Sequence, residues 1–402
     1  MTEPKAHLLA KEKLVVLRAP ARSVLRDLNA GVAAIPMDAG ADITIDVEEG
    51  ASGERLRTVV NDPTVIGFCP AMPMKLVEPT ERAAGEAAET GKATWGVTAV
   101  GATTSPFTGA GVTVAVLDTG IDSSHPAFAG VDLITRDFTS GGSADDKEGH
   151  GTHCAGTIFG RDVDGLRIGV AKGVTRALIG KVLGPDGGGS DMLADAMIWA
   201  RDNGAHVISM SLGIDFPGFV DKLVKLRGVS IPVATSAALD AYTANVKLFE
   251  KLIEFLNAGV GQPMVVAATG NESGRDKQPP FEISVAPPAA AAGIIAVGAL
   301  GGSPGRLTVA PFSNTRATVS APGVRVVSAG IGGGTATMSG TSMATPHAAG
   351  VAALWAEKLT AQGQLTPIML QAKLIGDARF DDLAPDTDPS DVGAGLVHAP
   401  QA

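Results

Sequence analysis

The chain has 402 residues, enough for two or three domains at roughly 150 residues each, or for one large α/β domain with a smaller one beside it. Hydrophobic residues make up 45% and charged residues 18%, so a sizeable core can be buried and wholesale disorder is excluded. Lys+Arg 32 against Asp+Glu 42 gives a net charge of −10, which argues against nucleic acid or an anionic membrane as partner.

The amino-terminal stretch through Leu8-Leu9-Ala10 and Lys11-Glu12-Lys13 lacks the apolar core of about 7 to 15 residues that a secretory leader needs. The weakly polar run from Ala286 to Leu300 is broken by Pro and too mild to span a bilayer. A soluble protein is expected, most simply cytoplasmic, although a leader removed ahead of this numbering would leave the same picture. Lys13 to Ala19 and Ile43 to Val47 read as strands, Gly53 to Asn61 has helical spacing, and Val65 to Phe68 and Lys75 to Val77 return to strand. Residues 1–79 are thus expected to form a small α/β unit. Thr80 to Thr94, polar and rich in Ala and Glu, reads as a linker or a solvated helix.

From Trp95 the texture changes. Short apolar runs at Val112 to Leu117, Leu178 to Leu183, Val207 to Met210, Met264 to Ala268 and Ile294 to Val297 suit strands buried on both faces. Helical patterns fall between them, at His150 to Phe159, Asp191 to Asn203, Ala244 to Leu256 and Met343 to Leu359. The alternation predicts an α/β domain over 95–402, with a mainly parallel sheet between helical layers and its reactive groups at the carboxyl ends of strands.

Distinctive residues sit at such positions. Asp118 ends the run VTVAVL, where a carboxylate is costly unless hydrogen-bonded; it is functional or a paired turn aspartate. His150 opens GHGTHCAGT, whose small residues let a helix begin flush against another backbone. A satisfied core histidine, or a metal pair with His153 and the nearby Asp145 and Asp146, are the competing readings, and H-x-x-H without a third spaced ligand is a weak zinc signal. Ser342 in GTSMATPH precedes an apolar helix, whose amino terminus suits a developing oxyanion; the alternative is an ordinary N-cap. His347, inside that helix, reads as a packed residue. Asn271 follows the strand MVVAA and is a turn asparagine or an N–H donor to the same oxyanion.

Taken together, Asp118, His150 and Ser342 stand in the order Asp…His…Ser. With the blocks VAVLDTGID (114–122), GHGTHCAGT (149–157), ISMSLG (208–213), AATGNES (267–273) and GTSMATPHAAG (340–350), the chain resembles the subtilisin-like serine proteases from about Trp95 nearly to its end. The resemblance implies a three-layer subtilisin-like fold and a serine endopeptidase acting on peptide or protein substrates, with no cofactor needed for chemistry. It implies Ser342 as nucleophile, His150 as general base and acid, Asp118 as its orienting partner, and an oxyanion hole of Asn271 and the Ser342 N–H. Substrate would lie as an added strand against Ser211, Leu212 and Gly213 on one side and Gly187, Gly188 and Gly189 on the other, with Gly270 also lining the site. Residues 1–79 resemble, more loosely, the family's propeptide, which implies an intramolecular inhibitor and a self-inhibited zymogen cut in the linker 80–94. Cys154 resembles the cysteine of the thiol-containing branch and is expected to be a packed thiol. Cys69 is the chain's other cysteine, and nothing in the sequence pairs the two.

The chain also departs from the family pattern. His125-Pro126 is followed by Ala127 where the family commonly has an acidic calcium ligand, which leaves Asp162 and Asp164 as candidate ligands for a structural calcium. An insertion over 214–263 reads as a surface helix, with a role in specificity or partner contact as the alternative. Glu272 is expected at the rim of the pocket for the residue before the cut, favouring basic side chains. A latent or non-catalytic protein of this fold, acting as a binding module, is the competing function.

Overall fold

The computed structural model describes residues 9, 12–19, 43–50, 53–84, 92–258, 261–303 and 305–401. Near the amino terminus, β1 (Leu14–Arg18), β2 (Thr44–Glu48) and β3 (Val65–Pro70) form an antiparallel sheet of order β2-β1-β3, with α1 (Gly53–Asn61) between β2 and β3 in sequence. Alternation along β1 divides the burial: Leu14 and Val16 pack with Val59 of α1, whereas Val15 and Leu17 turn the other way, into a much larger core. β4 (Pro73–Leu76) and β5 (Glu81–Ala84) follow, neither of them in this sheet. The reading of 75–77 as a strand of the small unit is thereby corrected, because its backbone groups are taken by strands far along the chain.

The remaining chain runs α2 (Trp95–Ala99), β6 (Thr113–Asp118), β7 (Asp132–Asp137), α3 (His150–Phe159), β8 (Arg176–Lys181), β9 (Gly188–Gly189), α4 (Ser190–Asp202), β10 (Val207–Met210) and β11 (Leu212–Ile214). Then come α5 (Phe216–Arg227), α6 (Ile231–Leu256), β12 (Met264–Ala268), β13 (Ile294–Ser303), β14 (Arg306–Val309), β15 (Val319–Pro322), β16 (Val326–Ala329), β17 (Thr335–Ser339), α7 (Thr341–Ala361), α8 (Pro367–Gly376) and α9 (Pro389–Val392). The central sheet has the order β14-β13-β12-β10-β6-β8-β7, with β15 also on β13, and only the β13–β14 pair is antiparallel. Its middle strands feed both sides. Val114 and Val116 of β6 pack with Cys154 and Ile158 of α3 and Leu354 of α7, while Ala115 and Leu117 pack with Leu193 and Met197 of α4 and Phe249 and Leu252 of α6.

The insertion departs from the expected surface helix. α6 extends back to Ile231, and its inner face (Ala234, Ala238, Ala241, Leu248, Phe249 and Leu252) is buried. Part of that face carries the amino-terminal sheet: Asn245 Nδ2 donates to Pro70 O at 2.9 Å, and Val15, Leu17 and Cys69 share one core with Phe249 and Leu252. On α5, Lys222 Nζ lies 2.6 Å from the nearly buried Glu12, with Arg227 at 3.4 Å. The helical period is clear only from 244 because Ala and Thr fill the first half and give little hydropathy contrast.

Among the described residues no helix is long and apolar enough to cross a membrane. Of the linker expected over 80–94, residues 85–91 lie outside the described residues, as does the amino-terminal stretch 1–8.

Leu17→Ala removes packing at the joint between sheet and α6, with an expected loss of about 2–5 kcal/mol. Amide exchange should then quicken across Val65–Pro70 and stay unchanged across Thr113–Asp118.

Candidate active site

The site begins with two backbones in close approach. A Cβ on Gly151 would lie 2.2 Å from Gly120 O, and one on Gly120 would lie 2.2 Å from Ala144 O. Only glycine lets the first turn of α3 touch the turn that follows β6, and that contact delivers His150 to Asp118. His150 Nδ1 stands 2.8 Å from Asp118 Oδ1, with both residues buried. The same carboxylate oxygen accepts from Thr119 N at 2.7 Å, so Asp118 serves its own turn and the histidine together.

Asp146, considered from sequence only as a metal ligand, turns out to organise this contact. Its Oδ1 accepts from Thr119 Oγ1, Glu148 N and Gly149 N at 2.9–3.0 Å, and its Oδ2 accepts from Thr152 N at 2.9 Å and Thr152 Oγ1 at 2.7 Å. Thr119 Oγ1 in turn accepts from Gly151 N at 2.9 Å. Burial raises the Asp146 pKa, but the donors from Thr152, Gly149 and Thr119 outweigh it and leave it below the usual carboxylate range. A capping carboxylate ahead of a helix is a legible signal in Asp146-Lys147-Glu148-Gly149; its second partner, Thr119, is not.

The zinc alternative does not survive this arrangement. His153 turns its Nε2 to Val326 O and Ala336 O, at 3.1 and 3.2 Å, and burial lowers its pKa to about 3. His347 is likewise a packed residue, with Nδ1 2.8 Å from Met343 O and a pKa lowered by burial to about 4. Both cysteines are free and buried. Cys154 Sγ lies 3.8 Å from His150 Nδ1 and 3.4 Å from Ser342 O, and burial, with the Asp118 charge added, pushes its thiol well above the usual range. Among the described residues Asp118, His150 and Cys154 are the one cluster of three or more such groups, and its shortest link is the 2.8 Å Asp–His hydrogen bond.

Ser342 is buried and is the second residue of α7; Gly340, not a side chain, occupies the N-cap. Asn271 is oriented by that helix start. Its Oδ1 accepts from Thr341 N and Thr341 Oγ1, each at 2.9 Å, which leaves Nδ2 directed into the cleft. Gly270 lies beneath it with φ 113°, its N–H donating to Thr341 Oγ1 at 3.2 Å.

The cleft is filled by the chain itself. β4 pairs antiparallel with β11 (Leu76 opposite Leu212, Lys75 opposite Gly213) and on its other edge with β9 (Met74 opposite Gly188, Pro73 opposite Gly189). β4 thus lies between β11 and β9 as the middle strand of three. A Cβ on Gly187 would fall 2.7 Å from Met74 O, so glycine is needed for that approach. Val77 N donates to Ser211 O at 3.4 Å, Ser342 Oγ donates to Val77 O at 2.8 Å, and Asn271 Nδ2 donates to Glu78 O at 2.8 Å. Beyond the serine, Thr80 N donates to Ser339 O at 2.8 Å, and β5 pairs with β17. Ser342 thus meets Val77 O, while His150 Nε2 and Asp118 Oδ2 are buried without a polar partner. The backbone crossing the serine is 77–78, just ahead of the linker expected to lie there.

Glu272 stands beside Asn314 and Lys75. Asn314 Nδ2 holds its Oε2 at 2.8 Å, and its Oε1 stands 3.9 Å from Lys75 Nζ, two residues upstream of Val77. Asp162 pairs with Lys172 at 3.6 Å, and Asp164 occupies an exposed turn with φ 50°. Among the described residues they belong to no cluster of three or more His, Cys, Asp or Glu ligands.

Residues 109–395 match the peptidase S8 family, described as the Subtilase family. Over 272 residues the chain is 35% identical to M-protease of Shouchella clausii (strain KSM-K16), covering 66% of this chain and 60% of that protein. The same identity and length hold for Subtilisin BL of Lederbergia lenta, with 84% of that protein covered. An extracellular serine proteinase of Thermus sp. (strain Rt41A) is 38% identical over 281 residues, 65% of this chain and 57% of its own length.

Asp146→Asn withdraws an ionised acceptor that is more acidic folded than unfolded, so the stability it adds is full above the ordinary aspartate value near ~4 and fades as pH falls through its lower folded value. Urea midpoints of wild type and Asp146→Asn should differ at pH 7, and the difference should shrink only as pH falls below the ordinary aspartate value toward the lowered folded one.

Proposed function

The chain belongs to the subtilase family, and on that premise we propose that it is a serine endopeptidase held in check by its own residues 73–84. The observation that carries this reading is the Asp118–His150 hydrogen bond at 2.8 Å, with Cys154 Sγ 3.8 Å from His150 Nδ1 and 3.4 Å from the O of Ser342, whose Oγ already touches a peptide carbonyl, that of Val77.

In the proposed reaction, His150 Nε2 takes the Ser342 Oγ proton as Oγ bonds to the substrate carbonyl carbon. Asp118 keeps the proton on Nδ1 and stabilises the imidazolium. Asn271 Nδ2 and the Ser342 N–H receive the oxyanion. Collapse breaks the C–N bond, His150 protonates the departing amine, and an acyl-enzyme remains on Ser342. Water, deprotonated by the same nitrogen, then releases the acid and restores the serine. No cofactor enters.

The resting arrangement is one carbonyl out of step. Ser342 Oγ sits on Val77 O while the oxyanion donor holds the next carbonyl, that of Glu78. For the Val77–Glu78 bond to be cut, Val77 O must move to Asn271 and the Oγ proton must turn to His150 Nε2. The bond one step on, Glu78–Pro79, ends in a proline nitrogen with no N–H. Val77–Glu78 is therefore the bond we assign to self-processing, with the segment ahead of it acting as an intramolecular inhibitor whose β1 and β3 pack on α6 and whose Glu12 pairs with α5.

Intact mass of purified protein, with and without a fluorophosphonate probe and beside Ser342→Ala, tests this. Wild type is expected to begin at Glu78 and to gain one probe adduct, with the alanine variant full length and unlabelled. A cut within 80–94 would overturn the assigned bond, and a full-length wild type that refuses the probe would favour a latent binding protein. Asn271→Ala should lower kcat by about 10²–10³-fold, with the probe-reactive serine retained.

A further inference from the structure

Lys75 is the third residue back from the Val77–Glu78 bond, counting Val77 as the first. Its Nζ stands 3.1 Å from Asp215 Oδ1 and 3.9 Å from Glu272 Oε1. These carboxylates come from distant parts of the chain, and each has a fixing contact independent of the lysine. Asp215 caps α5, accepting from Gly218 N at 3.2 Å, and its own N–H donates to Pro73 O at 3.0 Å. Glu272 Oε2 is held at 2.8 Å by Asn314, which is buried and donates also to Thr269 O at 3.1 Å. Opposite Lys75 in the strand pairing lies Gly213, so no side chain of β11 intervenes at that register.

We propose that Asp215 and Glu272 form a subsite for a lysine or arginine side chain at the third residue before the cut bond in any peptide substrate, with Lys75 as its intramolecular occupant. This rests on the peptidase reading above and gives it a substrate class. Asp215 stands at the start of the insertion, so the chain segment that seats the amino-terminal unit also supplies half of the subsite. Lysine and both acids are partly solvated, which limits each pair to a modest contribution. Together they should give about a 3- to 10-fold preference, shrinking as salt is raised.

Two measurements test it. Fluorogenic peptides carrying Met-Lys-Leu-Val or Met-Gln-Leu-Val before the scissile bond are compared by kcat/KM on the purified wild type. The lysine peptide is expected to lead, and the lead should vanish in Asp215→Asn/Glu272→Gln, a pair that keeps the α5 cap and the Asn314 contact. Equal rates on wild type overturn the subsite. The second measurement needs no turnover: amide exchange across residues 73–77 in full-length Ser342→Ala. Exchange should quicken several-fold with Lys75→Gln and equally with the double acid variant, and combining all three should add nothing more. Unchanged exchange overturns the subsite. If neither peptide is cut and the probe does not label, the peptidase reading fails by itself, and the exchange result still decides the pocket.

Discussion

A buried hydrogen bond between Asp118 and His150 is the constraint around which the rest is arranged. An aspartate at the end of a six-residue strand buried along its whole length has no water to solvate it, so the fold must bring donors to it. It does so by pressing α3 against the turn after β6 so closely that Gly120 and Gly151 admit no side chain. Asp146 then satisfies buried donors of the approaching loop and helix start, as a charged acceptor shared between Thr119, Gly149 and Thr152. The carboxylate that does not touch the histidine thus fixes the position of the one that does.

Around that fixed pair, the cleft is a gap in a sheet. β11 and β9 present edges that a strand can fill, and the glycine at 187 lets backbone meet backbone there. β4 fills the gap and β5 continues along β17, so one extended segment passes both sides of Ser342. Edge pairing is indifferent to most side chains, which leaves selection to what lies beyond the strands. Beyond the strands, the Asp215 and Glu272 carboxylates stand 3.1 and 3.9 Å from Lys75 Nζ.

The amino-terminal unit is held by more than its strand in the cleft. Its sheet shows two faces, one closed by α1 and the other by α6, and the face toward α6 shares a core with the central sheet's own helices. Glu12 adds a charged contact to Lys222 and Arg227 of α5. Insertion, sheet and cleft strand are therefore joined by contacts: α5 and α6, between β11 and β12, carry the amino-terminal sheet from which the strand in the cleft continues.

Much of this was legible in the residues. Short apolar runs ending in Asp118 or leading to Asn271 mark strands buried on both sides, because only a two-faced core needs unbroken hydrophobicity, and the helices between them followed from periodicity. The long blocks around Asp118, His150, Asn271 and Ser342 carried the family. What the sequence could not reveal was which distant groups meet. Whether the stretch 73–77 pairs with its own small sheet or with β11 and β9 depends on partners more than a hundred residues away, and a strand's hydropathy does not say which edge it will find. The first half of α6 was hidden by its alanines, and Glu272 sits beside Lys75 because Asn314, distant in sequence, orients it. Local pattern determined the elements and their chemistry; the tertiary structure decided the pairings, since hydrogen-bond geometry and side-chain direction are settled only when the backbones have met.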